Sequence, residues 1–98
     1  MERKIYAFDL DGTLCTGKPR EWECTPIKSR IDRVNELYKK WQVILIYTAR
    51  HPEYFQDTLA WLIKYWVYHH WINMWRKPWA DFYIDDKAIN DKDFFNTK

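Results

Sequence analysis

Hydrophobic and polar positions along this chain switch between two periods. Lys4 to Asp9 (KIYAFD) is a short apolar run with β-branched and aromatic residues that stops at Asp-Leu-Asp-Gly, the pattern of a buried strand. Leu10 to Cys24 has no clean period and contains Gly12, Gly17 and Pro19, so it is predicted as a loop or small flap. Thr25-Pro26 reads as a helix start, with threonine at the N-cap and proline at the first helical position. Ile27, Ile31, Val34, Tyr38 and Trp41 then recur at helical spacing and give that helix one buried face. Gln42 to Tyr47 (QVILIY) is nearly all apolar, as in a parallel strand covered on both faces. Thr48-Ala49-Arg50 reads as a loop, and a second helix is predicted from near Pro52 to about Tyr68. A third strand is expected near Trp71 to Trp75, a break at Arg76-Lys77-Pro78, a fourth strand at Asp81 to Ile84, and a short helical tail.

Strands alternating with helices predict an α/β fold. The expectation is a single domain over residues 1–98: a three-layer, doubly wound, Rossmann-like parallel sheet of about four strands, with no internal repeat or linker. Charged residues at 31% and hydrophobic residues at 47% describe a folding chain, and a formal charge of +2 is too weak to indicate nucleic acid by itself. The most apolar stretch, Trp61 to Trp75, is interrupted by Lys64, His69, His70 and Asn73 and is no membrane span. The N-terminal apolar run is too short for a signal peptide. A cytoplasmic protein without membrane contact is expected, and with it free thiols at Cys15 and Cys24.

Seven tryptophans in 98 residues is several times ordinary usage. On the second helix Phe55, Leu59, Leu62, Ile63 and Trp66 form a stripe expected to face the sheet. Tyr54, Trp61, Tyr65 and Tyr68 form another, a candidate homo-oligomer interface or an ordinary packing surface. His69 and His70 are expected at the helix end. Lys18, Arg20, Lys28, Arg30 and Arg33 read as a solvated face or as a track for a polyanion.

Every strongly polar group that stands out follows a predicted strand: Asp9 and Asp11 the first, Thr48 the second, Lys77 the third, Asp85-Asp86 the fourth. The carboxyl ends of parallel strands are where such sheets bind ligands. Crowded carboxylates need compensation, which a divalent cation supplies, and an all-oxygen donor set suits Mg²⁺. Mg²⁺ in turn suits a phosphate ligand, with Lys77 and Thr48 as partners for phosphoryl oxygens.

These segments resemble a known family. FDLDGTLC at Phe8 to Cys15 is similar to the first signature of the haloacid dehalogenase-like (HAD) superfamily, LIYTAR at Leu45 to Arg50 to its second, and RKPWADFYIDDKA at Arg76 to Ala88 to its third and fourth combined, with small capless bacterial and phage hydrolases the nearest type. The resemblance implies a phosphatase in which Asp9 attacks phosphorus and forms an aspartyl-phosphate. Asp11 would be general acid, then general base. Mg²⁺ would be held by Asp9, the Asp11 carbonyl and Asp85, with Asp86 ligating directly or through water. Thr48 and Lys77 would hold phosphoryl oxygens, with Gly12 letting backbone amides face the phosphate, and Arg50 and His51 are candidate substrate contacts.

Only a short flap separates the first strand from the first helix, and Arg76 to Ala80 is too short for a cap domain. An open site fits a phosphorylated substrate that is bulky (a nucleic-acid end, a lipid- or polymer-linked phosphate, a phosphoprotein) or a small one covered by a neighbouring subunit. A phosphotransferase of the same superfamily and a non-catalytic, receiver-like phospho-ligand module are the alternatives. A receiver places its paired acids after the first strand and its phosphorylated Asp after the third, whereas here the Asp pair comes last.

Overall fold

The computed structural model describes residues 2–16, 24–85, 89–90 and 95. Five parallel strands form the main sheet: β1 (Ile5–Asp9), β4 (Val43–Thr48), β5 (Trp71–Met74), β6 (Phe82–Asp85) and β7 (Ile89–Asn90), in the order β5-β4-β1-β6-β7. The two-residue β7 is a strand where the sequence predicts the start of a helical tail. Two helices complete the α/β fold, α1 (Lys28–Lys39) and α2 (Phe55–Lys64). The α/β expectation holds and no cap domain is present among the described residues.

Winding reverses at β1. The chain steps from β1 to β4 to β5 in one direction, then returns past both to β6 on the other side of β1. Both helices pack on one face, where Ile31, Val34 and Leu37 of α1 and Trp61 and Leu62 of α2 meet Phe8, Ile44, Ile46, Ile72 and Ile84. Among the described residues, the opposite face receives the return segment, residues 75–81, whose Ala80 packs on Ala7 and Tyr47. Val43 and Leu45 are consequently half-buried, so the sheet's two covers are unequal.

Thr25-Pro26 does not open α1. It forms β3 (Thr25–Pro26), antiparallel to β2 (Cys15–Thr16), and α1 starts at Lys28 with Ile27 at its N-cap in extended backbone. A residue before proline is biased toward extended backbone, which suits Thr25 to this short ladder. The ladder closes the ends of the flap and brings Cys15 and Cys24 together as a buried disulfide with Cα atoms 5.5 Å apart. The expectation of free thiols is corrected accordingly. Lys18 and Arg20 of the predicted basic cluster lie outside the described residues.

Both helices stop earlier than their apolar period suggests, and in the same way. In α1 the N–H of Gln42 donates to the Leu37 carbonyl and that of Trp41 to Tyr38, each at 3.1 Å. In α2 the N–H of Val67 donates to Leu62 at 2.9 Å and that of Trp66 to Ile63 at 3.1 Å. These are Schellman motifs, whose C′ residue takes left-handed backbone and is usually glycine. Here it is tryptophan twice, Trp41 at φ 74° and Trp66 at φ 59°, exposed by 67% and 72%.

The early end of α2 removes Tyr68, His69 and His70 from the helix. His70 leads into β5 instead: its N–H donates to the Ile44 carbonyl at 2.8 Å, and its Nδ1 accepts the Ile44 N–H at 3.0 Å. The buried positions of α2 are Thr58, Trp61 and Leu62, while Ile63 and Trp66 face solvent. Trp61, expected on the outer stripe, is 5% exposed and donates its indole N–H to the Cys24 carbonyl at 2.8 Å. It therefore packs inside this chain and not on the outer stripe of α2.

Candidate active site

The last residues of three neighbouring strands set the site. Pairing puts Asp9 of β1 beside Tyr47 of β4, and Phe8 beside Ile84 of β6, so that Asp85 follows alongside Asp9. Strand alternation sends Phe8 and Ile84 into the core, and Asp9, Tyr47 and Asp85 toward the thinly covered face. Thr48 ends β4, and Trp75 follows β5 with its N–H donated to the Thr48 carbonyl at 2.7 Å. A cleft of about 270 Å³ opens here, lined by Asp9, Tyr47, Thr48, Ala49, Trp75, Arg76, Lys77 and Asp85. It lies at the carboxyl end of the sheet, where the strand order reverses.

Of the predicted residues, Asp9, Thr48, Lys77 and Asp85 share this cleft. Asp85 is buried, accepts a hydrogen bond from the Tyr47 phenol, and has the Lys77 ammonium 3.6 Å from its Oδ2. Lys77 also sits 4.6 Å from the centre of the Tyr83 ring and 5.8 Å from that of Tyr47, a cation–π cradle. Tyr47 and Tyr83 were not singled out by the sequence. The signal was available in the period-two alternation, which places Tyr47 on the face of Asp9 and Tyr83 on that of Asp85.

Asp11 lies just beyond β1 and is engaged on both carboxylate oxygens. Oδ1 accepts from Arg50 Nη2 at 2.7 Å, and Oδ2 accepts from Arg50 Nε and from the Thr48 hydroxyl, both at 3.0 Å. Arg50, a candidate substrate contact, is only 7% exposed and is held inside the protein by Asp11 and by Thr58 of α2. His51, the other candidate contact, is exposed and packs its ring 4.6 Å from that of Trp75 at the rim. Gly12 takes φ +86°, which explains the glycine, and its N–H donates to the Cys15 carbonyl at 2.9 Å. Its contribution is thus the turn after Asp11. Asp86 lies outside the described residues.

The carboxylates of Asp9 and Asp85 on adjacent strand ends form an all-oxygen donor pair in a cleft that also holds a hydroxyl and an ammonium, and this set fits Mg²⁺. Asp11, Cys15 and Cys24 also gather within 4.8 Å, but the two sulfurs are bonded to each other, which closes that group to a metal. A larger groove of about 510 Å³ runs along α1 between Lys28, Asp32, Glu36 and Trp66. Its charges pair locally, Lys28 with Asp32 at 2.8 Å, and no strand end reaches it. No helix among the described residues is long and apolar enough to cross a membrane.

No family model and no curated protein matches the chain. Solved structures do. A structural-genomics target from Vibrio cholerae is 27% identical, with a TM-score of 0.78 over 97% of this chain and 89% of that one. A conserved protein from Bacteroides thetaiotaomicron is 18% identical, with a TM-score of 0.77 over 97% and 88%. One chain of a Pnkp1/Rnl/Hen1 complex is 18% identical, with a TM-score of 0.65 over 95% of this chain and 33% of its own length. The first two are nearly matched in length, in keeping with a compact fold.

Proposed function

We propose that this chain hydrolyses phosphomonoesters with Mg²⁺, by the aspartyl-phosphate route of the haloacid dehalogenase-like hydrolases. The observation that carries the reading is the convergence of Asp9, Thr48, Lys77 and Asp85, four separate segments of sequence, on one cleft at the strand-order reversal. In this reading an Asp9 oxygen attacks phosphorus while the P–O bond to the leaving group breaks. Asp11 gives its proton to the departing oxygen and then takes one from the water that cleaves the aspartyl-phosphate. The Lys77 ammonium and the Thr48 hydroxyl bind the transferring oxygens.

Mg²⁺ would be held by Asp9, Asp85 and the Asp11 carbonyl, with Asp86 as the resemblance assigns it. When bound it offsets the charge between the carboxylates and the phosphoryl group. Among the described residues no cap domain lies over the cleft, which favours a phosphate carried on a large molecule, a nucleic-acid end among them, or a small one covered by a second subunit.

The test is phosphate release from an aryl phosphate by wild type and Asp9→Asn, with Mg²⁺ and after its removal by a chelator. Turnover should require both, with Asp9→Asn losing at least about a thousandfold, roughly 4 kcal/mol of barrier. Turnover that survives Asp9→Asn would overturn the mechanism.

A further inference from the structure

The structure assigns Arg50 as the positioning residue of Asp11, an inference that rests on the hydrolase reading above. Two features separate Arg50 from a substrate contact. It is buried, its side chain 5% exposed against 27% for that of Asp11. Its guanidinium is spoken for on three nitrogens: Nε and Nη2 fork onto the two oxygens of Asp11 at 3.0 and 2.7 Å, and Nη1 donates to the Thr58 hydroxyl at 3.1 Å. Its own backbone is tied in as well, since the Arg50 N–H donates to the Thr48 hydroxyl oxygen at 3.1 Å.

The chain of contacts runs back to a rigid element. Thr58 is fully buried in α2 and donates its hydroxyl proton to the Tyr54 carbonyl at 2.9 Å, which leaves its oxygen lone pairs for Arg50. A planar fork held at three nitrogens fixes the plane of the carboxylate it grips, which one ammonium cannot do. Asp11 itself sits in a loop just past β1, between Leu10 and a glycine in left-handed backbone. Arg50 thus transmits the position of α2 to the acid/base.

Thr48 joins the same set. Its hydroxyl donates to Asp11 Oδ2 at 3.0 Å, and that is its only proton. In the proposed reaction the same hydroxyl is wanted by a phosphoryl oxygen. Arrival of the phosphate therefore removes one of the three donors from Asp11 and leaves the Arg50 fork to hold it. An acid/base must lie within about 3 Å of the atom it serves, and a misplacement of roughly 1 Å costs on the order of a hundredfold.

The experiment compares two substrates that differ in their need for an acid. An alkyl phosphate needs its leaving oxygen protonated, and a nitrophenyl phosphate does not. Because kcat/KM reports the steps up to departure of the leaving group, it isolates that need. Arg50→Ala should lower kcat/KM about a hundredfold on the alkyl phosphate and less than about tenfold on the nitrophenyl phosphate, with Arg50→Lys in between. Asp11→Asn should show the same pattern, and the double variant should be no worse than Asp11→Asn alone. If Arg50→Ala does not fold, Arg50→Lys carries the comparison. Equal losses on both substrates, losses that multiply with Asp11→Asn, or a raised KM at unchanged kcat would overturn the inference. Wild-type turnover that persists in Asp9→Asn would instead remove the hydrolase reading beneath it.

Discussion

The two faces of the sheet divide the labour of this small protein, and β4 shows the division within six residues. Ile44 and Ile46 point to the helices and are fully buried, while Leu45 is half-buried and Tyr47 reaches Asp85 on the opposite side. One face has two helices over it and carries most of the packing. Among the described residues the other has one extended segment over it, and it carries Asp9, Tyr47 and Asp85. A domain this short buries only about two-thirds of its unfolded surface, and the cleft forms on the less covered face.

The comparison can be broken by substitution. Ile46→Ala should cost about 2–5 kcal/mol, as expected for a buried aliphatic side chain, whereas Leu45→Ala should cost less than half as much. Denaturant titration of the two variants decides it, and equal losses would mean that the second face is packed after all.

Next in size are the left-handed tryptophans. Trp41→Gly and Trp66→Gly should each raise stability by about 1 kcal/mol, because the backbone there penalises any Cβ and the rings are mostly in solvent. Trp41 has a small compensation, since the Arg3 guanidinium lies 4.5 Å above its ring, so Trp66→Gly should gain more. Thermal melts of both variants check the order.

The smallest effect concerns His70, whose ring stacks 4.6 Å from Tyr38. Burial holds its pKa below the ordinary 6.5, with the charges of Arg3 and His69 adding to the shift. The unfolded chain therefore takes up this proton first. The stability it contributes is present above about pH 6.5 and is lost as pH falls from there toward the folded-state value. Melts across that window should show a decline that is shallower in His70→Asn, and parallel profiles would remove His70 as its source.

Much of the fold is legible in the sequence because it rests on local pattern. Apolar runs ending in acids mark β1 and β6 whatever they pack against. What escaped depends on contacts across the chain. The β2–β3 ladder and the Cys15–Cys24 bond join segments with no period of their own. Thr58 reads as polar, yet it is buried because Arg50 and the Tyr54 carbonyl satisfy its hydroxyl, and this turns α2 so that Trp61 faces inward. The role of Arg50 was hidden for the same reason: its partner is 39 residues away.

Trp75 completes a pattern. Like Trp41 and Trp66 it takes positive φ, here 73°, and these three are the non-glycine residues among those described that do. The chain holds only two glycines against seven tryptophans. The consequence reaches the gene. UGA is read as tryptophan in some genetic codes and as glycine in others, and a cell of the second kind would place at all three turns the residue their backbone favours. The intact mass of the protein made in its own cell would show which amino acid the ribosome inserts.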